Sequence, residues 1–543
     1  MSNRTAVLLS ALSMLAAIAV GLLLWSWLVS FDHPRVVGRP HWLAWDIVSY
    51  SLRHDGEATL GNVSTQDRYP ILRYGAWFFR HCGRDARAIA AAQLPFMALL
   101  LLSVGFAAWR IAGPLAGGIA PWIALFAPMT LGVTTQMDDI LVLQAFVMLT
   151  MMMLFWSDRT RRRWLAIVAA VVFTSGVRWR IWYSSEVCAF FVLYSGIGAW
   201  LLWSWAAWLR ERRENPDHGW RESPWRLTSA LLLVVLLTVL LGPGFNFRYF
   251  AAQNYRPLLL GKSLWNAPAA LWQTPAVWLH SFLRPVMGLV LAPAAFWAWR
   301  YSRRHDLLMF LGGCILLPTL SLVLINKRQE FYLATAVPSA YVLIAVGLAE
   351  AARRRRRVAI VSLLLLAVGG GWFWEARDRG RPPENYELPD YYLEAFEHKP
   401  TLYLISPRAP GDKWEIVGKQ VAHECTARGL PPVFVEKYPG NGPVAFYAWQ
   451  SYPRSRFGDV YQGPLPDPPL CLVFLTFHSR SVTEVLDYQR LLLRTEEKKL
   501  AREALTRVEK VERYKSSCAF AADLEGWSIY RCIPPAPPSE NRR

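Results

Sequence analysis

Residues 138–163 read DDILVLQAFVMLTMMMLFWSDRTRRR. Two acids, Asp138 and Asp139, open a long apolar run, and Arg159, Arg161, Arg162 and Arg163 close it. A helix needs about 20 mostly apolar residues to cross bilayer hydrocarbon, and residues 139–157 come close to that length. Loops on the cytoplasmic side of a membrane carry an excess of Lys and Arg. The stretch therefore reads as one membrane span, with its arginine end in the cytoplasm and its acidic end outside.

Working outward, the chain offers eleven such segments, at roughly 6–30, 87–109, 111–133, 139–157, 164–177, 183–209, 227–243, 283–300, 307–325, 331–350 and 358–374. The segment 164–177 is short, and 111–133 holds internal Gly and Pro. The first is too long for the core of a signal peptide and lacks a clean small-residue cleavage site, so it reads as an uncleaved anchor. The cation clusters are Arg110, Arg159–Arg163, Arg210–Arg213, Arg300–Arg304 and Arg353–Arg357. Eleven spans with a cytoplasmic N-terminus place every one of them on the cytoplasmic side.

The composition agrees. Of the 543 residues, 54% are apolar and 18% charged, against roughly 25% charged in a soluble domain. That excludes a set of soluble domains, a disordered chain, a fibre and a small disulfide scaffold. The net charge of +19 would also suit a nucleic-acid binder. Its placement argues otherwise. Residues 375–543 hold 24 Lys+Arg against 23 Asp+Glu, which leaves 35 against 17 in the span-rich part. The excess sits in short loops, where it sets topology, so no nucleic-acid partner is expected.

Residues 1–374 are expected to form the membrane domain, with a first outer loop at 31–86, and residues 375–543 a separate domain outside the membrane. The second part alternates strand-like runs (402–405, 433–436, 470–477, 527–532) with helix-like runs (about 412–428 and 482–510), an α/β pattern. It holds Cys425, Cys471, Cys518 and Cys532, an even number that suits two disulfides in an oxidising compartment. Three pairings are available, and Cys518–Cys532 is the favoured bridge. There is no CxxC pair, which argues against a structural zinc site.

Several residues invite a chemical reading. Asp46 lies in His41-Trp42-Leu43-Ala44-Trp45-Asp46-Ile47-Val48-Ser49-Tyr50, among apolar and aromatic neighbours. Poor solvation raises a carboxyl pKa and suits it to proton transfer; a helix cap or a partner for an Arg is the alternative. Residues 67–80 contain Arg68, Tyr69, Arg73 and Arg80. Arg73 and Arg80 share a helical face, and Ile71, Leu72, Phe78 and Phe79 fall largely on another, as in a helix lying in the interface plane. Asp138 and Asp139 at a membrane edge are either caps or functional charges. Arg178, Arg180, Lys327 and Arg328 lie in outer turns, where the topology rule predicts few cations. They suit a phosphate or diphosphate on a lipid substrate, or anionic headgroups. Arg248 and Arg256 add to the outer loop 244–282. Gly261-Lys262-Ser263 imitates the end of a P-loop, but its first Gly would fall on Arg256. Neither HExxH nor GxSxG occurs.

This layout resembles the GT-C superfamily of integral-membrane glycosyltransferases, in particular the branch of protein O-mannosyltransferases and the lipid A aminoarabinose transferase. The likeness is carried by Asp46 in Trp-Asp-Ile-Val-Ser-Tyr, by Arg68-Tyr-Pro-Ile-Leu-Arg-Tyr, by Asp138-Asp139-Ile140-Leu141, and by Lys327-Arg328-Gln329-Glu330-Phe331-Tyr332 with Pro338. It implies a mainly α polytopic bundle with an extracytoplasmic C-terminal α/β domain in the bacterial inner membrane. It also implies a sugar donor on polyprenyl phosphate or diphosphate, and a lipid, glycan or protein acceptor. Asp46 would be the general base, and Asp138 or Asp139 would orient a substrate. Lys327, Arg328, Arg178, Arg180 and Tyr332 would bind the donor phosphate, while Arg68, Tyr69, Arg73, Arg248 and Arg256 would line the groove. The family commonly has a second acid after the first-loop Asp. Here that position is Ile47, so a role for a divalent metal stays open. The rival functions are a transporter or flippase for lipid-linked sugars, or a non-catalytic envelope scaffold. A transporter would often show internal repeats, and none is visible.

Overall fold

The computed structural model describes residues 3–28, 70–84, 86–127, 139–160, 164–179, 183–215, 223–241, 284–324, 334–355, 413–427, 429–434, 447–452, 456–457, 470–475, 518–524 and 527–532, with 130, 134, 162 and 357. Its helices in chain order are α1 (Asn3–Leu28), α2 (Pro70–Cys82), α3 (Ala86–Ala91), α4 (Leu94–Phe126), α5 (Asp139–Thr160) and α6 (Trp164–Val177). They are followed by α7 (Tyr183–Glu214), α8 (Trp225–Leu241), α9 (Arg284–Tyr301), α10 (His305–Leu324), α11 (Val337–Arg354) and α12 (Lys413–Thr426). The chain is a multi-pass membrane protein built as a helix bundle. The expected span at 358–374 lies outside the described residues, as do the segments 402–405 and 482–510.

The expected spans 87–109 and 111–133 occupy one continuous run, α4, preceded by the short α3. The run folds back on itself. Ala112 leaves helical geometry (φ −128°, ψ 19°), and Gly113 takes φ 77°, a left-handed value that glycine adopts without a Cβ clash. Pro114 follows and cannot supply the next helical N–H. Beyond the break, Gly105 faces Pro121 and Gly117 faces Trp109, so the two halves run antiparallel. The internal Gly and Pro thus make a hairpin of two spans. Within the expected span 331–350, α11 begins at Val337, with Pro338 in its first turn, and residues 331–333 lie outside the described residues. A proline is well placed there because the first helical N–H groups have no partner anyway.

Helices that are apolar all round lie in the middle of a bundle. In α11 nearly every residue from Val337 to Ala351 is buried, and α4 and α5 are similarly enclosed. Small residues let backbones approach in lipid, where dispersion contacts replace the hydrophobic effect between helices. A Cβ on Gly347 of α11 would strike the backbone of Ala294 in α9, and one on Gly313 of α10 would strike Ser195 and Ala199 of α7. Peripheral faces turn leucines outward instead: Leu8, Leu12, Leu15 and Leu23 on α1, Leu232, Leu236 and Leu240 on α8, Leu316 and Leu320 on α10. Such a belt would be an aggregation hazard in water and is ordinary in lipid.

The helix ends sort into two groups. One end gathers arginine. The Asp158 carboxylate at the end of α5 accepts from Arg110 in α4 (3.2 Å) and from Arg304 before α10 (2.8 Å), and Arg304 also pairs with Asp306 (2.7 Å). Arg353 near the end of α11 pairs with Glu350 (2.6 Å) and donates to the Ala112 carbonyl at the hairpin bend. Positions that the sequence pattern assigns to one membrane face therefore meet in space.

Beyond the helices, β1 (Pro432–Phe434), β2 (Arg456–Phe457), β3 (Leu470–Leu475), β4 (Ala519–Leu524) and β5 (Trp527–Cys532) form one sheet in the order β2-β1-β3-β5-β4. The pairs β1–β2 and β1–β3 are parallel, and β3–β5 and β4–β5 antiparallel. Helix α12 lays Val417, Val421, Ala422 and Cys425 against the sheet and ends at a turn through Gly429 (φ 70°). The Cys518–Cys532 disulfide joins the start of β4 to the end of β5, while Cys425 and Cys471 are buried free thiols.

Gly347→Ala should destabilise the bundle by about 1–3 kcal/mol, the usual cost of overpacking a core. A lower unfolding midpoint of the detergent-solubilised chain would show it; an unchanged midpoint would mean that α9 and α11 slip apart freely.

Candidate functional site

At the end of the bundle opposite the Asp158 cluster, α2 packs on the start of α4 and on the turn after α6. Helix α2 starts at Pro70, whose fixed φ suits a first helical position. It is amphipathic: Ile71, Leu72, Gly75, Ala76 and Phe79 are buried, whereas Arg73 and Trp77 are exposed. This matches the expected surface helix, apart from Phe78, which is only half-buried.

Tyr74 makes three edge-on ring contacts, and two of them, to Phe96 and Trp179, fasten α2 to the bundle. Centroid distances are 5.0 Å to Phe78, 5.5 Å to Phe96 at the start of α4, and 5.2 Å to Trp179 in the turn after α6. Trp179 and Phe96 also meet edge to face at 5.3 Å. Each such pair stabilises by about 0.5–1.5 kcal/mol beyond its buried area. Burial, with a smaller contribution from the charge of Cys82, pushes the Tyr74 phenol up to about 12. Tyr74 therefore stays neutral across the physiological range and serves as a ring edge.

Arg178 sits on the same turn. Its guanidinium donates to the carbonyl of Leu241, the last residue of α8 (3.2 Å), satisfying an orphan acceptor at a helix C-terminus. The Arg178–Trp179 turn is thereby held from two sides, by α2 and α4 through Trp179 and by α8 through Arg178. Two further ties close this end. The Trp25 indole near the end of α1 donates to the Thr134 carbonyl (3.2 Å), four residues before Asp138. The buried Gln144 amide on α5 donates to the Ala334 carbonyl (2.6 Å), two residues after Tyr332. The end of α1 is thereby tied to Thr134, and α5 to the residues just before α11.

The C-terminal sheet unit meets the same helix. Buried Trp449 lies 5.8 Å from Phe79 of α2, centroid to centroid, and the Gln450 amide donates to the Arg84 carbonyl (3.4 Å).

Of the expected site residues, Arg73 and Arg178 are described with their side chains, and Asp139 by its backbone, as the first residue of α5. Asp46, Arg68, Tyr69, Asp138, Arg180, Arg248, Arg256, Lys327, Arg328 and Tyr332 lie outside the described residues. Trp179, Gln144, Trp25 and Trp449 escaped sequence reasoning. Trp179 carried a weak signal, as an aromatic between two cations in an otherwise sparse turn; the others look like ordinary residues of apolar segments. Among the described residues, no cluster of three His, Cys, Asp or Glu side chains is placed to hold a metal ion.

No protein-family model matches the sequence, and no curated protein matches it in sequence. Solved structures do match in shape. ArnT from Cupriavidus metallidurans bound to undecaprenyl phosphate aligns with TM-score 0.53 at 12% identity, over 95% of this chain and 97% of that one. The apo state of the same protein gives 0.50 at 13% identity, with the same coverage. The Archaeoglobus fulgidus oligosaccharyltransferase in complex with Zn and sulfate gives 0.46 at 11% identity, over 96% of this chain and 73% of that one. This chain shares the fold of ArnT over nearly the whole length of both. The expected mainly α polytopic bundle is the fold observed.

Gln144→Leu removes the clasp between α5 and the entry to α11 and leaves the Ala334 carbonyl without that donor. A buried acceptor stranded in this way costs about 1–3 kcal/mol. Denaturation of the purified chain should register the loss, and stability equal to the parent would show that the clasp is dispensable.

Proposed function

We propose that this chain is a membrane glycosyltransferase that moves a sugar from a polyprenyl phosphate or diphosphate carrier to an acceptor on the extracytoplasmic side. The supporting observation is the end-to-end likeness of fold to ArnT, a protein captured with undecaprenyl phosphate. The end of the bundle at which α2 packs on the start of α4 and on the Arg178–Trp179 turn fits this reading. The membrane would be the bacterial inner membrane, with the N-terminus in the cytoplasm and residues 375–543 forming the extracytoplasmic domain. The acceptor, whether lipid, glycan or protein, would enter from that side.

The chemistry assigned to the residues is a direct displacement. Asp46 takes the proton from the acceptor nucleophile as that atom attacks the anomeric carbon. The bond from the anomeric carbon to the carrier phosphate breaks, and its electron pair leaves on the phosphate oxygen. One displacement of this kind inverts the anomeric configuration. Charge grows on the departing oxygen in a poorly hydrated site, where fixed cations act strongly. Lys327, Arg328, Arg178 and Arg180 would meet it, with Tyr332 beside them. Arg offers a two-pronged fork to phosphate and Lys a compact charge. Asp138 or Asp139 would orient a substrate, and Arg68, Tyr69, Arg73, Arg248 and Arg256 would line the groove. Whether a divalent metal joins Asp46 is left open by Ile47, and no step here depends on one.

Envelope glycans and glycolipids from a deletion strain, compared with the parent by mass analysis, should lack one sugar. An unchanged envelope would sink the transferase reading, and accumulation of an intact lipid-linked sugar on the wrong leaflet would favour a flippase. In reconstituted protein, Asp46→Asn should lower transfer by about 10²–10⁴-fold, the range of general-base contributions. Carrier binding should stay near the parent value. Full activity in that variant would remove Asp46 from the mechanism.

The cations give a separate measurement. Lys327→Ala combined with Arg328→Ala should weaken undecaprenyl phosphate binding about 100-fold, since hydrogen bonds to charged groups are worth about 1.5–3 kcal/mol each. Unchanged affinity would mean that these residues meet only bulk headgroups.

A further inference from the structure

We propose that Trp179 is a positioning residue: its indole fixes the Arg178-bearing turn after α6 against surface helix α2, and so holds Arg178 for carrier binding. The inference rests on the transferase reading above and goes beyond it, because it concerns a residue that holds the site without touching the substrate.

The geometry is specific. Trp179 is half-buried and lies between two arginines in sequence, Arg178 and Arg180. Its ring meets Tyr74 of α2 at 5.2 Å and Phe96 of α4 at 5.3 Å, both edge to face. The Trp179 amide donates to the Gly176 carbonyl (3.1 Å), so the turn is tight and the ring cannot move without moving its neighbours. Gly176, in turn, packs so closely on Phe146 of α5 that no Cβ would fit. On the far side, Arg178 holds the turn through a hydrogen bond that is exposed to solvent. Exposed hydrogen bonds exchange with water and constrain little. The ring contacts of Trp179 are therefore the stronger restraint on where this turn sits relative to α2.

The same helix carries the contact to the C-terminal sheet unit. Tyr74 and Phe79 are five residues apart on α2, and Phe79 meets Trp449 at 5.8 Å. Helix α2 thus meets the sheet unit through Phe79 and the Arg178–Trp179 turn through Tyr74.

The test uses the full-length chain in lipid nanodiscs with undecaprenyl phosphate as the probe. Trp179→Leu should weaken binding by about tenfold, roughly the loss of one well-placed charged contact. Trp179→Phe, which keeps a ring edge, should recover most of it. Trp449→Leu should shift affinity in the same direction by a smaller factor. Phe520→Leu removes a comparable edge-on pair with Tyr530 in the sheet unit (5.5 Å) and should leave affinity unchanged. Thermal midpoints are measured on every variant. If the parent chain does not bind undecaprenyl phosphate, the functional reading itself fails. If the parent binds and Trp179→Leu binds equally well, the positioning role is overturned. Equal losses in the Leu and Phe variants that follow a lowered midpoint would also overturn it, because they would report general destabilisation.

Discussion

A guanidinium placed in hydrocarbon without partners costs several kcal/mol, and this constraint organises the whole molecule. It forces every helix to end where its arginines can reach water or a carboxylate. At one end of the bundle Asp158 holds Arg110 and Arg304, and Arg353 reaches the hairpin bend at Ala112. Once those ends are gathered, the alternation of spans fixes which termini lie at the other end. There α2 and its flanks carry Arg73, Arg80, Arg84 and Arg87, and the turn after α6 carries Arg178. The arginine clasp therefore does more than hold three helices. It decides which turns share the opposite face, and with them which residues can cooperate chemically.

Between the two ends, the packing is set by absence of side chain. Apolar helices in lipid gain nothing by exchanging lipid contacts for protein contacts unless the fit is close. Gly347 against Ala294 and Gly313 against Ser195 supply that fit. The central position of α11 follows, and with it the placement of the Lys327–Tyr332 run just before that helix. Gln144 ties the same junction to α5 by a bond to the backbone. A single polar donor in an apolar helix has few alternatives, so it acts as a register mark between the two segments.

How far the sequence alone could be read depends on the range of the forces involved. Spans are local properties, and ten of the eleven expected segments coincide with described helices. The division of 87–133 into two segments was readable from Arg110, whereas the bend itself falls at Ala112 and Gly113. In the C-terminal unit, β3 and β5 are apolar runs and were legible, as was the Cys518–Cys532 bridge. Strand β2 is two residues long and β4 carries little apolar periodicity, so both depend on pairing with distant neighbours. For the candidate site, charge against the topology rule pointed to the Arg178–Arg180 turn. Nothing local pointed to its contacts. Tyr74 and Trp179 are separated by about a hundred residues and Phe79 and Trp449 by far more, and single-sequence patterns carry no information about such pairs.

Those long-range pairs also bear on why the chain needs α2. A phosphate at a membrane surface is a mobile, strongly hydrated target, and cations on an unsupported turn would lose ordering entropy each time they met it. Aromatic edges cost little conformational entropy, with only two rotatable bonds each, and they pack at the apolar–polar boundary where α2 lies. A surface helix pinned by Tyr74 on one side and by Phe79 on the other offers such a support. It is joined both to the helix bundle, through Tyr74, and to the sheet unit, through Phe79. Under the proposed transferase reading, that helix is the support against which the Arg178 turn is held.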